Sequence, residues 1–214
     1  MGRIAVAVGV EAGSRRAFAF ALDWPGWCRP GRDEALALET LEAHATRYAA
    51  VAVRAGEAFP GAVAEFAVVE RLPGTATTDF GAPDAVAAAD LRPLDGSAAA
   101  RLAALVEASW AELGRVVAGA PAVLRKGPRG GGRDRDAIVA HVAEAEAAYA
   151  RRMGIDPREA GGDAATLREA IAGALRGARE GVPLKERGWL PRYAARRVAW
   201  HALDHAWEIE DRSG

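Results

Sequence analysis

Three of the four histidines in the chain lie where a shared metal ion is the most direct chemical interpretation. His201 and His205 are four residues apart in W-L-P-R-Y-A-A-R-R-V-A-W-H-A-L-D-H-A-W-E-I-E-D-R (189–212), a stretch rich in helix-forming Ala, Arg, Leu and Glu. At that spacing the two imidazoles project from one face of a helix. His141 lies in a second amphipathic stretch, A-I-V-A-H-V-A-E-A-E-A-A-Y-A. The pattern predicts a three-histidine site between two helices.

Three imidazoles around one point leave a coordination position open, which is typical of a catalytic zinc-type centre. Imidazole also suits nickel, copper and iron, so the donors do not choose the ion, and we expect a divalent metal, zinc or nickel. Such an ion lowers the pKa of a bound water or thiol and so makes a nucleophile available. The alternative interpretation is three core histidines that hydrogen bonds alone satisfy.

Acidic residues near the histidines are candidates for proton transfer and for orienting the rings. Glu144 follows His141 by three residues and is the candidate catalytic acid or base, although a solvated helix glutamate has the same pattern. Asp204 and Glu208 could orient imidazole N–H groups, with surface exposure as the alternative for each.

Other large side chains on the last helical stretch have simpler interpretations. Trp200 and Trp207 flank the histidines but point away from their row, so we expect them to pack in the core or in a dimer interface. Arg196 and Arg197 could bind an anionic substrate, although solvated arginines are far commoner.

Helical periodicity dominates the second part of the chain and gives the elements that must position the histidines. Apolar residues recur at helical spacing over residues 97–118, 134–153, 163–179 and 189–212. Four amphipathic helices with no strand between them predict a four-helix bundle.

Strand periodicity is confined to the first part of the chain. Residues 3–10, 15–22 and 63–70 read as strands, and an acid-capped helix is predicted over 34–53. The fold class expected is α+β: a small β-β-(β)-α-β domain over residues 1–75, a linker over 76–92, and the bundle over 93–214. Since strand periodicity ends before the linker, we expect two separable units.

The bundle part, residues 93–214, resembles the DinB-like superfamily through His141 on its second helix and the H-x-x-x-H pair on its fourth. The resemblance implies a metal-binding four-helix bundle with His141, His201 and His205 as ligands, often a homodimer. Members include metal-dependent thiol transferases and isomerases, so a low-molecular-weight thiol is a further candidate cofactor. A recognisable thiol-cofactor signature is missing, and a hydrolase is an equally open activity.

The first part, residues 3–72, resembles the HicB-like module of type II antitoxins. The resemblance rests on F-A-L-D-W-P-G-W-C-R-P-G-R-D-E-A, where Asp23, Pro25, Gly26, Gly31 and Glu34–Ala35 match the family pattern. The DNA-binding segment that usually follows the module in those antitoxins is not readable here. The resemblance implies an alternative function: a non-catalytic regulatory protein that binds a protein partner through this module.

Composition narrows the partners. A net charge of −1 argues against nucleic-acid binding, and no stretch approaches the ~20 apolar residues of a membrane span. Cys28 is the only cysteine, so no internal disulfide forms. We therefore expect a soluble cytoplasmic protein that acts on a small molecule or binds a protein partner. The DinB-like resemblance and the six tryptophans of this small chain imply a homodimer.

Overall fold

The computed structural model describes residues 5–60, 65–127 and 131–213, which form a four-stranded sheet and seven α-helices. The strands are β1 (Ala5–Ala12), β2 (Ala17–Ala21), β3 (Cys28–Gly31) and β4 (Glu65–Pro73). The helices are α1 (Glu34–Ala43), α2 (Ala45–Arg54), α3 (Ala76–Phe80), α4 (Gly96–Gly119), α5 (Arg135–Arg152), α6 (Ala164–Gly177) and α7 (Pro191–Arg212). The predicted α+β class is confirmed.

The sheet has the order β3-β2-β1-β4, with β1 antiparallel to β2 and parallel to β4. Every residue of β2 is buried, because both faces of the sheet are covered. Phe18 and Phe20 pack in a cluster with Trp200 of α7. Ala17, Ala19 and Ala21, on the opposite face, pack with residues of α1 and α2.

Two features of the first part differ from the predicted elements. The helix predicted over 34–53 is divided at His44, whose backbone leaves helical geometry at φ −92° and ψ 1° and whose Nδ1 lies 2.8 Å from the Thr40 carbonyl oxygen. The Pro- and Gly-rich sequence D-W-P-G-W-C-R-P-G (23–31) contains strand β3 at the edge of the sheet. An edge strand can accommodate Pro30, because one of its sides has no partner strand to which a backbone N–H would have to donate. The starts of two predicted strands, residues 3–4 and 63–64, lie outside the described residues.

The four long helices pack as a closed ring in which α4 contacts α7 and α6, and α5 contacts the same two helices. Their predicted bounds are confirmed to within two residues. On α5, His141 contacts His205, whereas Tyr149, eight residues later, contacts Trp189 just before α7. Helices α5 and α7 therefore run antiparallel, which brings His141 level with the histidines of α7.

Helix α7 lies between the sheet and the other long helices, and 16 of its 22 residues are buried. On the sheet side, Leu203 and Trp207 share a core cluster with β1, α1 and α2. Gly26, with φ +94°, approaches α7 so closely that a Cβ there would lie 2.7 Å from Leu203 Cδ1. The two parts of the chain thus share a core, and their division at residues 76–92 stays a prediction.

The predicted linker is held down on the sheet rather than extended. It contains α3 and a 3-10 turn (Ala88–Leu91). The fully buried carboxylate of Glu11 on β1 accepts hydrogen bonds from the Thr78 hydroxyl and from the backbone N–H groups of Asp84 and Ala85. Across the described ranges, no helix is both long and apolar enough to cross a membrane.

Candidate metal centre

The structure brings His141, His201 and His205 together between α5 and α7. One ring nitrogen from each lies within 4.8 Å of the others. The ring centroids are 5.1 Å apart for His141 and His201, 5.0 Å for His141 and His205, and 4.7 Å for His201 and His205. A tetrahedral ion with bonds of ~2.0–2.1 Å holds its donors ~3.4 Å apart. The observed limit of 4.8 Å is wider than this spacing, so the rings would have to move closer together to share one ion.

A carboxylate orients the His205 ring. Nδ1 of His205 lies 2.8 Å from Glu208 Oε2, and Arg212 Nη1 donates to the other oxygen of Glu208 at 2.6 Å. The hydrogen bond with His205 is the main reason that the pKa of Glu208 is lowered, so this carboxyl is ionised and can only accept. Nδ1 therefore carries the proton, and Nε2 of a neutral His205 is free to bind a metal ion.

Burial keeps the His201 ring neutral. Its pKa is lowered to about 3, first by burial and then by the neighbouring His205, His141, Arg197 and Arg133. Burial also lowers the pKa of His141, which is partly exposed. Hydrogen bonds within the protein do not satisfy the His201 ring fully, because its Nδ1 is buried without a partner. Neutral rings with an unmatched nitrogen fit a metal ion, because the metal-binding form of histidine is the unprotonated one.

The acidic candidates separate in the structure. Glu144 is exposed and forms no hydrogen bond or ion pair within the described ranges, but its charge acts on His141. Asp204 does not face the histidines; it forms an ion pair with Arg29 of β3 at 2.8 Å. Glu208, for which surface exposure was the alternative, is the carboxylate that reaches the site.

Burial of the remaining candidates differs in part from expectation. Trp200 and Trp207 are buried against the sheet, as packing residues should be. Arg196 and Arg197, for which solvation was the commoner interpretation, are only 6% and 7% exposed. Arg197 precedes His201 by four residues, about one helical turn, and this spacing was visible in the sequence. What covers them, the segment around residues 83–90, was not.

Two further residues support the site: Arg212 had no role assigned from the sequence, whereas Tyr149 belongs to the sequence pattern that carries the DinB-like resemblance. Arg212 anchors Glu208 and follows it by four residues, a spacing that favours such pairs on helices. Tyr149 of α5 lies 5.7 Å from the His201 ring, centroid to centroid, and its hydroxyl is 3.4 Å from Arg197 Nη2. Only the packing of α5 on α7 brings this tyrosine to the site.

No protein-family model, curated protein or solved structure matches this chain. The interpretation of the site therefore depends on its geometry and on the chemistry of its donors.

Proposed function

We propose that the protein is a metal-dependent enzyme in which His141, His201 and His205 hold one divalent ion, zinc or nickel. The observation that carries the proposal is the convergence of three imidazoles from two helices, with one ring nitrogen of each within 4.8 Å of the others. Three core histidines that hydrogen bonds alone satisfy would not need to converge on one point in this way. For residues 93–214 we propose membership of the DinB-like superfamily, which includes thiol transferases and isomerases.

The protein's own residues supply the setting for the ion. Glu208, held by Arg212, fixes the His205 ring in the tautomer that presents Nε2. A divalent ion supplies Lewis acidity at the coordination position that the three rings leave open. Glu144, exposed and three residues after His141, is the proposed proton carrier, since a carboxylate beside the opening can exchange protons with solvent. The ligand of the metal ion is either a low-molecular-weight thiol or a substrate that the enzyme hydrolyses.

The sheet has a structural role in this proposal. The loop that carries the HicB-like resemblance is used inside the molecule: Trp27 is buried, its Nε1 donates to the Leu41 carbonyl at 2.9 Å, and Gly26 closes against α7. A surface for a protein partner would leave such a loop accessible. We therefore favour a module that supports α7 over the alternative of a regulatory, partner-binding protein.

The test measures metal binding on untagged protein. Added zinc or nickel should raise the melting temperature, since an ion that binds only the folded chain stabilises it. His141→Ala, His201→Ala and His205→Ala should each abolish that rise, and the three effects should not add, because all three serve one ion. Metal content after purification, measured by mass spectrometry, gives an independent readout.

His44→Ala is the control, since His44 is the one histidine outside the site. It packs against Trp207, with 5.0 Å between the ring centroids, so its replacement should lower the melting temperature slightly but leave the metal response intact. A full metal response in His141→Ala would show that α5 does not contribute, and would reduce the site to an incidental pair on α7. A wild type that ignores both ions would contradict the proposal.

A further inference from the structure

Two adjacent arginines of α7 are buried, but only one of them has an acidic partner. Arg196 donates to Asp90 with Nε and Nη2, at 3.0 Å and 2.5 Å. Arg197 forms no ion pair within the described part of the chain; it donates to the Pro83 carbonyl and lies 3.4 Å from the Tyr149 hydroxyl. Burying a charge without a counter-charge lowers the stability of the folded protein, so an anion bound next to Arg197 would be stabilising.

The guanidinium of Arg197 lies beside the candidate metal centre. Its central carbon is 5.5 Å from the Tyr149 ring centroid and 5.2 Å from that of Trp200. Both aromatic rings are in turn 5.7 Å from the His201 ring. The charge of Arg197 is among the causes that lower the pKa of His201, which is consistent with this proximity.

One edge of this guanidinium has hydrogen-bonding capacity that the protein does not use fully. Nε is buried and has no hydrogen-bond partner, and the contact of Nη2 with Tyr149 is long for a hydrogen bond. Two neighbouring N–H groups on one edge of an arginine match the two oxygens of a carboxylate. Tyr149 and His141, both on α5, are partly exposed, so solvent reaches the α5 side of the candidate metal centre.

We propose that the ligand of the metal centre is a carboxylate-bearing molecule, with its carboxylate bound by Arg197 and the Tyr149 hydroxyl. This inference rests on the proposed function and assigns it a substrate class. Arg196 has no part in the recognition, because Asp90 already neutralises it. A purely structural Arg197 would instead serve only to hold the Pro83 carbonyl against α7.

The test uses the full chain loaded with cobalt(II), whose visible absorption reports the donors around the ion. Acetate is the probe, and acetamide, of the same shape but uncharged, is its comparison. Acetate should bind and acetamide should not at the same concentration. Arg197→Met should keep cobalt affinity within about twofold and weaken acetate by about tenfold or more, since it removes hydrogen bonds to a charged group.

Arg133→Met is the matched control. Arg133 is exposed and its charge also acts on His141 and His201, so it tests long-range attraction without a buried contact. Its replacement should change acetate affinity less than about twofold. An equal loss in both variants would overturn the assignment of Arg197 as the carboxylate ligand.

The outcomes separate the inference from the proposed function. Failure of the wild type to bind cobalt would overturn both. Cobalt binding with acetate affinity unchanged by Arg197→Met, or with acetamide bound as well as acetate, would overturn the inference and leave the metal centre standing. If circular dichroism shows that Arg197→Met is unfolded, Arg197→Lys keeps the charge and loses the two-pronged edge. Acetate should then bind more weakly than to the wild type, and unchanged affinity would overturn the inference.

Discussion

The two sides of helix α7 differ in role: one packs against the sheet, and the other presents the histidines of the candidate metal centre. Toward the sheet it presents Trp200 and Trp207; Trp200 meets Phe18 edge to face, with 6.0 Å between centroids. Toward α5 it presents His201 and His205, which meet another histidine. The indole N–H groups of both tryptophans lack hydrogen-bond partners, so apolar packing is what holds the two rings against the sheet. The packing of the tryptophans stabilises α7, and the helix can therefore carry buried histidines on its α5 side although not all of their nitrogens form hydrogen bonds within the protein.

The largest effect is expected from removing a tryptophan on the sheet side. Trp207 is 1% exposed, so Trp207→Ala should lower the free energy of unfolding by ~3–5 kcal/mol through lost burial and a residual cavity. Urea denaturation followed by circular dichroism measures this loss. His201→Ala, on the other side of the helix, should cost the metal-free protein less than half as much, because an imidazole buries far less apolar surface than an indole. Equal losses would contradict the division of α7 into a packing side and a site side.

Features that depend only on the periodicity of residues along one helix or strand could be predicted from the sequence. The four long helices and the H-x-x-x-H pair could be predicted because helical spacing alone puts His201 and His205 on one face. The choice of His141 as the third member also agrees with its position in the structure. The division at His44 escaped prediction, because that stretch has good helix formers on both sides and the ring meets Trp207, a tertiary contact.

Contacts between distant segments account for the rest. Helical spacing places Glu208 one turn beyond His205 on the histidine row, and the structure pairs these two residues. That Asp204 pairs with Arg29 of the sheet could not be predicted from spacing along the helix. Likewise, the burial of Arg196 and Arg197 depends on residues 83–90, which fold back over α7 and provide Asp90. No local pattern encodes such pairings, since they depend on how the sheet docks on the helices.

A pH-dependent effect of intermediate size should come from the site side. The pKa of His201 is about 3 in the folded chain against ~6.5 in the unfolded one, so the unfolded state binds more protons between these values. Stability of metal-free protein should therefore fall as pH decreases below ~6.5, by ~1.4 kcal/mol per pH unit for this one ring. His141, which also has a lowered pKa, adds to the slope in the same direction.

The comparison of wild type with His201→Ala isolates the contribution of that ring. Urea denaturation at pH 7 and pH 5, with a chelator present, gives the difference between the two proteins. The wild type should lose more stability than the variant over this interval, since the groups common to both cancel. Parallel losses would show that His201 has the same pKa in the folded and unfolded chain, which would contradict the lowered pKa of the buried ring.

The smallest effect, and the sharpest test of the two sides, comes from a pair of carboxylates four residues apart on α7. Glu208→Gln removes the charge that orients His205, so zinc affinity should fall ~10–100-fold while the helix stays folded. Asp204→Asn removes an equal charge from the Arg29 ion pair on the sheet side, where neither residue is fully buried. It should cost at most ~1 kcal/mol of stability and leave zinc affinity unchanged. Competition with a chromophoric chelator measures both affinities. If the two variants weaken zinc equally, the effect is one of net charge, and Glu208 has no orienting role at His205.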